Sequence, residues 1–212
     1  YGAAGTGKTY LLNHIAQMFD ERTKLFLANT NPAVDNLRRK MKAQNCDFST
    51  IAMFLKKDNV NVEYDMLVMD ECSMVSNSDM RKVLEKANYK LLVLVGDTYQ
   101  IEAISFGNWF SLAKYFLPKK TWNELMTPFR AKNSELLELW TKVRTLKEDV
   151  TEHLVNYGYS SVLNESIFQR SSDDEIILCL NYNGLYGINN INRFLQNSNP
   201  NEGVVWGINT YK

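Results

Sequence analysis

A parallel α/β sheet with helices on both faces is the fold this sequence predicts, and three observations predict it. From Gly2 to about Phe116, short apolar runs alternate with segments whose apolar residues recur at helical spacing. The chain opens on YGAAGTGKT, a glycine-rich loop of the kind that joins the end of a buried strand to the start of a helix. A later apolar run, MLVM, ends in the acidic pair Asp70 and Glu71.

The elements follow in order. KLFLA (24–28), YDMLVMD (64–70) and KLLVLVGD (90–97) read as buried strands, each stopping where polar or glycine residues begin. Between them, TYLLNHIAQMF carries a helical apolar pattern. PAVDNLRRKMK opens with a proline suited to a first helical turn, and SNSDMRKVLEKA offers Ser, Asn and Asp as caps. Beyond a boundary near residue 130 the pattern loosens. NSELLELWTKVRTLKEDVTEHLVNYG (133–158) is helix-rich, SSDDEIILCLN (171–181) reads as a polar loop feeding a strand, GINNINRFLQ (187–196) as a helix and GVVWGI as a last strand. The expected organisation is a nucleotide-binding domain over 1–130 and, over 131–212, a helical linker with the start of an incomplete second α/β domain. The strand that normally precedes the opening loop is absent, so the natural protein is expected to begin earlier.

Composition narrows the function. Hydrophobic residues make up 45% of the 212, enough for a substantial core. Lys plus Arg and Asp plus Glu both number 24, so no global basic field advertises nucleic acid, and any such binding must rest on local contacts. Cys46, Cys72 and Cys179 are isolated and, with His14 and His153, lack zinc-site spacing. Free thiols and the lack of an apolar run of about 18 residues suit an intracellular, cytoplasmic chain without membrane insertion.

The opening loop satisfies G-x-x-x-x-G-K-[ST] through Gly2, Gly7, Lys8 and Thr9, with Gly5 between. Its amides and the following helix amino terminus offer donors and partial positive charge to phosphate oxygens. Lys8 would reach the β- and γ-phosphates and Thr9 would ligate Mg²⁺. Asp70, at a strand end, can hold the Mg²⁺ shell, and Glu71 can orient and deprotonate a water for attack on the γ-phosphate. The two motifs, in this order and about 60 residues apart, point to ATP hydrolysis. GDTYQI follows the next strand, and its Gln100 can hydrogen-bond the γ-phosphate and the attacking water; an ordinary polar turn is the other reading. Arg130, at the domain boundary, can neutralise transition-state charge if it enters the site from a second domain.

Together GAAGTGKT, ANTNPAVDNL, MDECSM, GDTYQI and PFRAKNSELL resemble, in order, motifs I, Ia, II, III and IV of superfamily 1 DNA/RNA helicases, most of all the RecD and Upf types. The resemblance covers about residues 1–140 and implies a RecA-like P-loop NTPase. It implies that Gly2, Gly5, Thr6, Gly7, Lys8 and Thr9 bind ATP and Mg²⁺, that Asp70 anchors the metal, and that Glu71 is the base. Gln100 would sense the γ-phosphate, Phe129 stands where many members carry an adenine-stacking tyrosine, and Arg130 where they carry an arginine finger. Thr30 and Asn31 match a motif that touches the nucleic-acid backbone, and FSTIAMFL (48–55) resembles a further strand-contacting segment. The family's upstream adenine-reading glutamine motif and its motifs V and VI are not found.

The function this implies is translocation along single-stranded nucleic acid, with DNA favoured over RNA and a monomer favoured. A regulatory P-loop ATPase that gates a protein interaction is the alternative, and a nucleotide-binding module without turnover a second. Arg38, Arg39, Lys40 and Lys42 read as a solvated helix face rather than a phosphate patch. Trp109 and Phe110 suit core packing better than base stacking. Trp140 reads as core, and neither histidine carries a catalytic signal.

Overall fold

The computed structural model describes residues 1–57, 62–129, 133–162, 177–198, 202–206 and 209–211. They form two compact units, Tyr1–Thr151 and Glu152–Lys212.

The first unit is built on a four-stranded parallel sheet of β1 (Lys24–Ala28), β2 (Cys46–Thr50), β3 (Glu63–Met69) and β4 (Asn88–Leu94), in the order β2-β1-β3-β4. β1 lies between β2 and β3, with Phe26 opposite Phe48 on one side and Val68 on the other. All five β1 residues are buried, and its side chains alternate between two cores. Leu25 and Leu27 point into one with α3 (Ile51–Lys56) and α4 (Asn77–Lys86); Phe26 and Ala28 point into the other with α1 (Lys8–Met18) and α2 (Asn31–Lys40). Helices therefore cover both faces, as the continuous apolar strands require.

The three expected strands and the helices α1, α2 and α4 lie within a few residues of their sequence-derived bounds. β4, expected as a buried strand, is instead a sheet edge whose residues are all exposed or half-buried, because no further strand pairs with its outer side among the described residues. β2 and α3 are additions. CDFST carries little strand signal, yet it pairs with β1 along its whole length, and Phe48 stacks on Phe26 with ring centroids 5.1 Å apart. α5 (Trp109–Phe116) is a further addition. Its Trp109 and Phe110 pack against the core cluster on the α3 and α4 side of the sheet, and the Trp109 indole Nε1 donates to the Val75 carbonyl at 2.7 Å, which agrees with the packing reading of this pair. α6 (Ser134–Arg144) completes the unit; the Asn133 side chain caps it by accepting from the Glu135 and Leu136 amides. Trp140 is not core: it is 38% exposed, while its neighbour Leu139 takes the buried position of the helix. One residue along a helix turns the side chain by about 100°, so only one of the pair can face inward.

Gly2 lies beside the segment that follows β4. The Gly2 amide donates to the Gly96 carbonyl at 3.1 Å, and Gly2 forms a parallel bridge with Leu125. The carboxyl ends of β1, β3 and β4 thus lie on one edge of the sheet with the opening loop, where open parallel sheets hold ligands.

Lys24 is fully buried at the other end of β1, and its ammonium donates to the Phe19, Asp20 and Arg22 carbonyls at 2.7, 3.2 and 2.6 Å. These carbonyls close the turn after α1, where a cation also meets the negative end of the helix dipole. Lys24→Met keeps the apolar stem and removes the ammonium. The expected loss is about 1–3 kcal/mol, read as a lower urea midpoint with an unchanged slope.

The second unit contains most of α7 (Val150–Asn156), which begins just before the division, α8 (Ile188–Ser198) and an antiparallel pair, β5 (Val204–Trp206) with β6 (Asn209–Tyr211). The expected last strand is thus one partner of this pair over 204–206, while its residues 207–208 lie outside the described residues. The strand expected over 171–181 lies partly outside the described residues, and residues 177–181 carry no strand. Among the described residues no helix is long and apolar enough to cross a membrane.

Candidate nucleotide site

The opening loop curls because two of its glycines take positive φ, 77° at Gly5 and 87° at Gly7. Gly7 is the residue before α1, so the left-handed turn there aims the helix amino terminus back over the loop. A side chain at Gly2 would meet the Leu125 carbonyl oxygen at 2.6 Å and the Thr6 hydroxyl at 2.8 Å. Thr6 is buried and donates to the Ala3 carbonyl at 2.8 Å, while the Lys8 ammonium donates to the Gly2 and Ala3 carbonyls at 2.9 and 2.8 Å. The lysine thereby lies across the concave side of the loop.

β3 delivers the acidic pair to the same edge. The Asp70 amide donates to the Leu27 carbonyl at 2.9 Å, prolonging the ladder, and Asp70 Oδ1 accepts from the Glu71 amide at 2.9 Å. Glu71 then adopts φ 56° and ψ 39°, a left-handed conformation uncommon for a residue with a side chain. Here the turn opens the short 3₁₀ turn Cys72–Met74, and the Cys72 amide donates to the Val95 carbonyl of the neighbouring strand end. Burial pushes the Asp70 carboxyl above its ordinary value, against the opposing pull of the Glu71 amide and the Lys8 and Lys40 charges. Burial, then the neighbouring Asp70 charge, does the same to Glu71.

Gly5, Gly7, Lys8, Thr9, Asp70, Glu71, Gln100 and Phe129 all line one cleft of about 700 Å³. Gly2 and Thr6 shape the loop beneath it. The Phe129 amide donates to the Gly5 carbonyl at 2.8 Å, and its ring lies within 3.9 Å of the position a Gly7 side chain would take, with 73% of the residue exposed. Thr30 and Asn31 are exposed at the start of α2, past the carboxyl end of β1, and do not line this cleft. The Thr30 hydroxyl caps α2, accepting from the Ala33 amide at 3.3 Å. Arg130 lies outside the described residues. His14 is exposed and packs edge-on against Tyr10, centroids 4.4 Å apart.

The basic cluster divides, and its last member, Lys42, lies just past the end of α2. Arg38 pairs with Asp35 at 3.1 Å on the exposed face, as a solvated helix surface predicts. Lys40 and Lys42 instead line the cleft, with Asn36 one turn before Lys40 and Asn13 of α1 accepting from the Lys42 amide at 2.7 Å. The i, i+4 spacing of Asn36 and Lys40 was the available signal; which neighbour that face met was not.

Among the described residues no three His, Cys, Asp or Glu side chains gather as a metal cage. A cation here would depend on Asp70, the Thr9 hydroxyl and substrate phosphates. That donor set suits Mg²⁺, which takes one or two carboxylates and keeps its other positions for phosphate and water. Asp70→Asn keeps the acceptor for the Glu71 amide and removes the buried charge. Because the folded-state pKa of Asp70 is raised, its ionised form destabilises the fold above that pKa. We expect Asp70→Asn to raise the melting temperature at pH 7–8 by about 2–4 °C, the scale of 1 kcal/mol for a chain of this size. The gain should shrink as pH falls through the folded pKa towards the ordinary aspartate value, in melts recorded across that range.

A left-handed glycine loop capping a helix, beside an acidic strand end at the carboxyl edge of a parallel sheet, defines a RecA-like P-loop NTPase fold. A profile of the family described as an AAA domain matches residues 1–164, and the chain belongs to that family. Among solved structures, Bacteroides Pif1 bound to single-stranded DNA is similar at 17% identity and a TM-score of 0.58, over 85% of this chain and 49% of that one. Pif1 helicase from Candida albicans is similar at 20% identity and a TM-score of 0.55, over 97% and 51%. The chain thus spans about half the length of these relatives. At the level of fold, the expected resemblance to superfamily 1 helicases is borne out.

Proposed function

We propose that this chain is the nucleotide-hydrolysing part of an ATP-dependent helicase or translocase that moves along single-stranded nucleic acid. The observation that carries the reading is the convergence on one cleft of the loop cation Lys8, the strand-end pair Asp70 and Glu71, and Gln100. In this reading the loop amides and Lys8 hold the β- and γ-phosphates of ATP, and Thr9 and Asp70 hold Mg²⁺. When bound, Mg²⁺ neutralises charge on the β- and γ-phosphates. Glu71 accepts the proton of the attacking water, Gln100 orients that water against the γ-phosphate, and Arg130 supplies transition-state charge. The exposed Phe129 ring offers adenine a stacking face beside Gly7. Residues 131–212 serve as helical linker and the opening part of a second RecA-like domain, and the protein works as a cytoplasmic monomer.

Thr30 and Asn31 contact the backbone of the strand. With its oxygen committed to the Ala33 amide, the Thr30 hydroxyl still has a proton to donate to phosphate, and Asn31 beside it is exposed. Single-stranded DNA is the favoured track, in keeping with the DNA bound by Bacteroides Pif1.

The test is phosphate release from Mg-ATP by the full-length protein, with and without oligo-dT. Stimulation by the oligonucleotide is the expected result, and hydrolysis indifferent to any nucleic acid would favour a regulatory ATPase. Thr30→Ala with Asn31→Ala should weaken binding of all single strands alike in fluorescence anisotropy, because backbone contacts carry no base information. Thr30→Ser, which keeps the helix cap, should bind as the wild type does.

A further inference from the structure

The Asp97 carboxylate is buried at the carboxyl end of β4, three residues before Gln100. It accepts from the Tyr99 amide through Oδ1 at 3.1 Å, and the Gln100 amide donates to the Asp97 carbonyl at 3.1 Å, so residues 97–100 close into a turn. That turn places Gln100 on the wall of the cleft. Its second carboxylate oxygen, Oδ2, receives Arg144 Nη1 at 2.8 Å, and the same guanidinium lies over the Tyr99 ring, 4.5 Å from its centroid. The Asp97 and Arg144 side chains are only 4% and 20% exposed.

Arg144 is the last residue of α6, 47 positions away in the chain. A guanidinium fits this place because one planar group donates to a carboxylate edge while its face covers an aromatic ring, which an ammonium cannot do. Without it, a buried carboxylate loses its cation at the point where the turn is pinned.

We infer that Arg144 is a positioning residue for hydrolysis: through Asp97 and Tyr99 it holds the turn that presents Gln100 to the terminal phosphate, and so ties the state of α6 to that of the nucleotide site. The inference rests on the ATPase reading above. It predicts that Arg144 acts on turnover rather than on nucleotide affinity, since the loop and Lys8 are untouched.

The experiment compares wild type, Arg144→Gln, Arg144→Lys, Gln100→Ala and the Arg144→Gln/Gln100→Ala double variant of the full-length protein. Steady-state hydrolysis, Mg-ATP affinity and amide hydrogen exchange are the readouts. Arg144→Gln should lower kcat by about tenfold or more and leave the affinity for Mg-ATP within about twofold, the pattern of an interaction that matters only in the transition state. Arg144→Lys, which restores the charge without the stacking, should recover part of the loss. The double variant should be no slower than Gln100→Ala alone, because both changes disable one device. The Tyr99 and Gln100 amides should lose exchange protection in Arg144→Gln, while β1 and β3 keep theirs. A wild type that hydrolyses no ATP would overturn the reading of the site and the inference with it. A hydrolysing wild type would overturn the role of Arg144 alone if the two losses multiply, or if exchange at Tyr99 and Gln100 is unchanged.

Discussion

Replacing Lys8 with alanine is expected to abolish ATP hydrolysis and to weaken ATP binding far more than nucleic-acid binding. Lys8 is the only cation of the Gly2–Thr9 loop, and its ammonium lies 2.9 and 2.8 Å from the Gly2 and Ala3 carbonyls, across the concavity that would receive phosphate. Loop amides still donate in the variant, so residual binding is expected, but no side chain then follows charge onto the γ-phosphate. Phosphate release and titration with a fluorescent ATP analogue check the first two expectations, and anisotropy with labelled oligo-dT the third. Turnover near that of the wild type would remove Lys8 from the site.

Glu71→Gln is expected to keep ATP binding and to lower turnover by at least about a hundredfold, the scale of a lost general base. Glutamine preserves size and can still hydrogen-bond the water but cannot take its proton, so affinity measures the site and kcat measures the base. The pH profile adds a second check. Burial and the Asp70 charge raise the Glu71 pKa, and the base works only when ionised, so the acid limb of kcat/KM should lie above the pH at which an ordinary glutamate ionises. In Glu71→Gln the acid limb of the residual rate should move, leaving only the ionisation of Asp70. A variant with unchanged turnover, or one whose limb does not move, would assign the proton to another group.

Much of the candidate site was legible because its chemistry is local in sequence. Gly2 to Thr9 form one turn, and Asp70 and Glu71 are adjacent, so spacing alone identified the loop and the acidic pair that meet in the cleft. β1 and β3 were legible for a similar reason, since a strand buried on both faces is a continuous apolar run; β4 also showed as an apolar run, although it is an edge strand with Leu91 42% exposed. Edge strand β2 escaped notice. CDFST is held by its ladder to β1 and by the Phe26 and Phe48 stack, neither of which leaves a local pattern. Trp140 was misplaced because the helical period gives the stripe only to within one residue, and packing gave the inward position to Leu139.

By itself the sequence determined that this protein is an α/β domain of the P-loop kind, through motifs whose residues lie within a few positions of one another. Only the tertiary structure decided which distant residues complete the cleft. Lys40 and Lys42 became part of its wall because α2 packs beside α1, with the Lys42 amide fixed by Asn13. Arg144 came to hold the Gln100 turn because α6 brings a guanidinium to within 2.8 Å of a buried carboxylate. Such pairings are set by how helices pack on a sheet, a matter of three-dimensional distance that the spacing of residues along a chain does not encode.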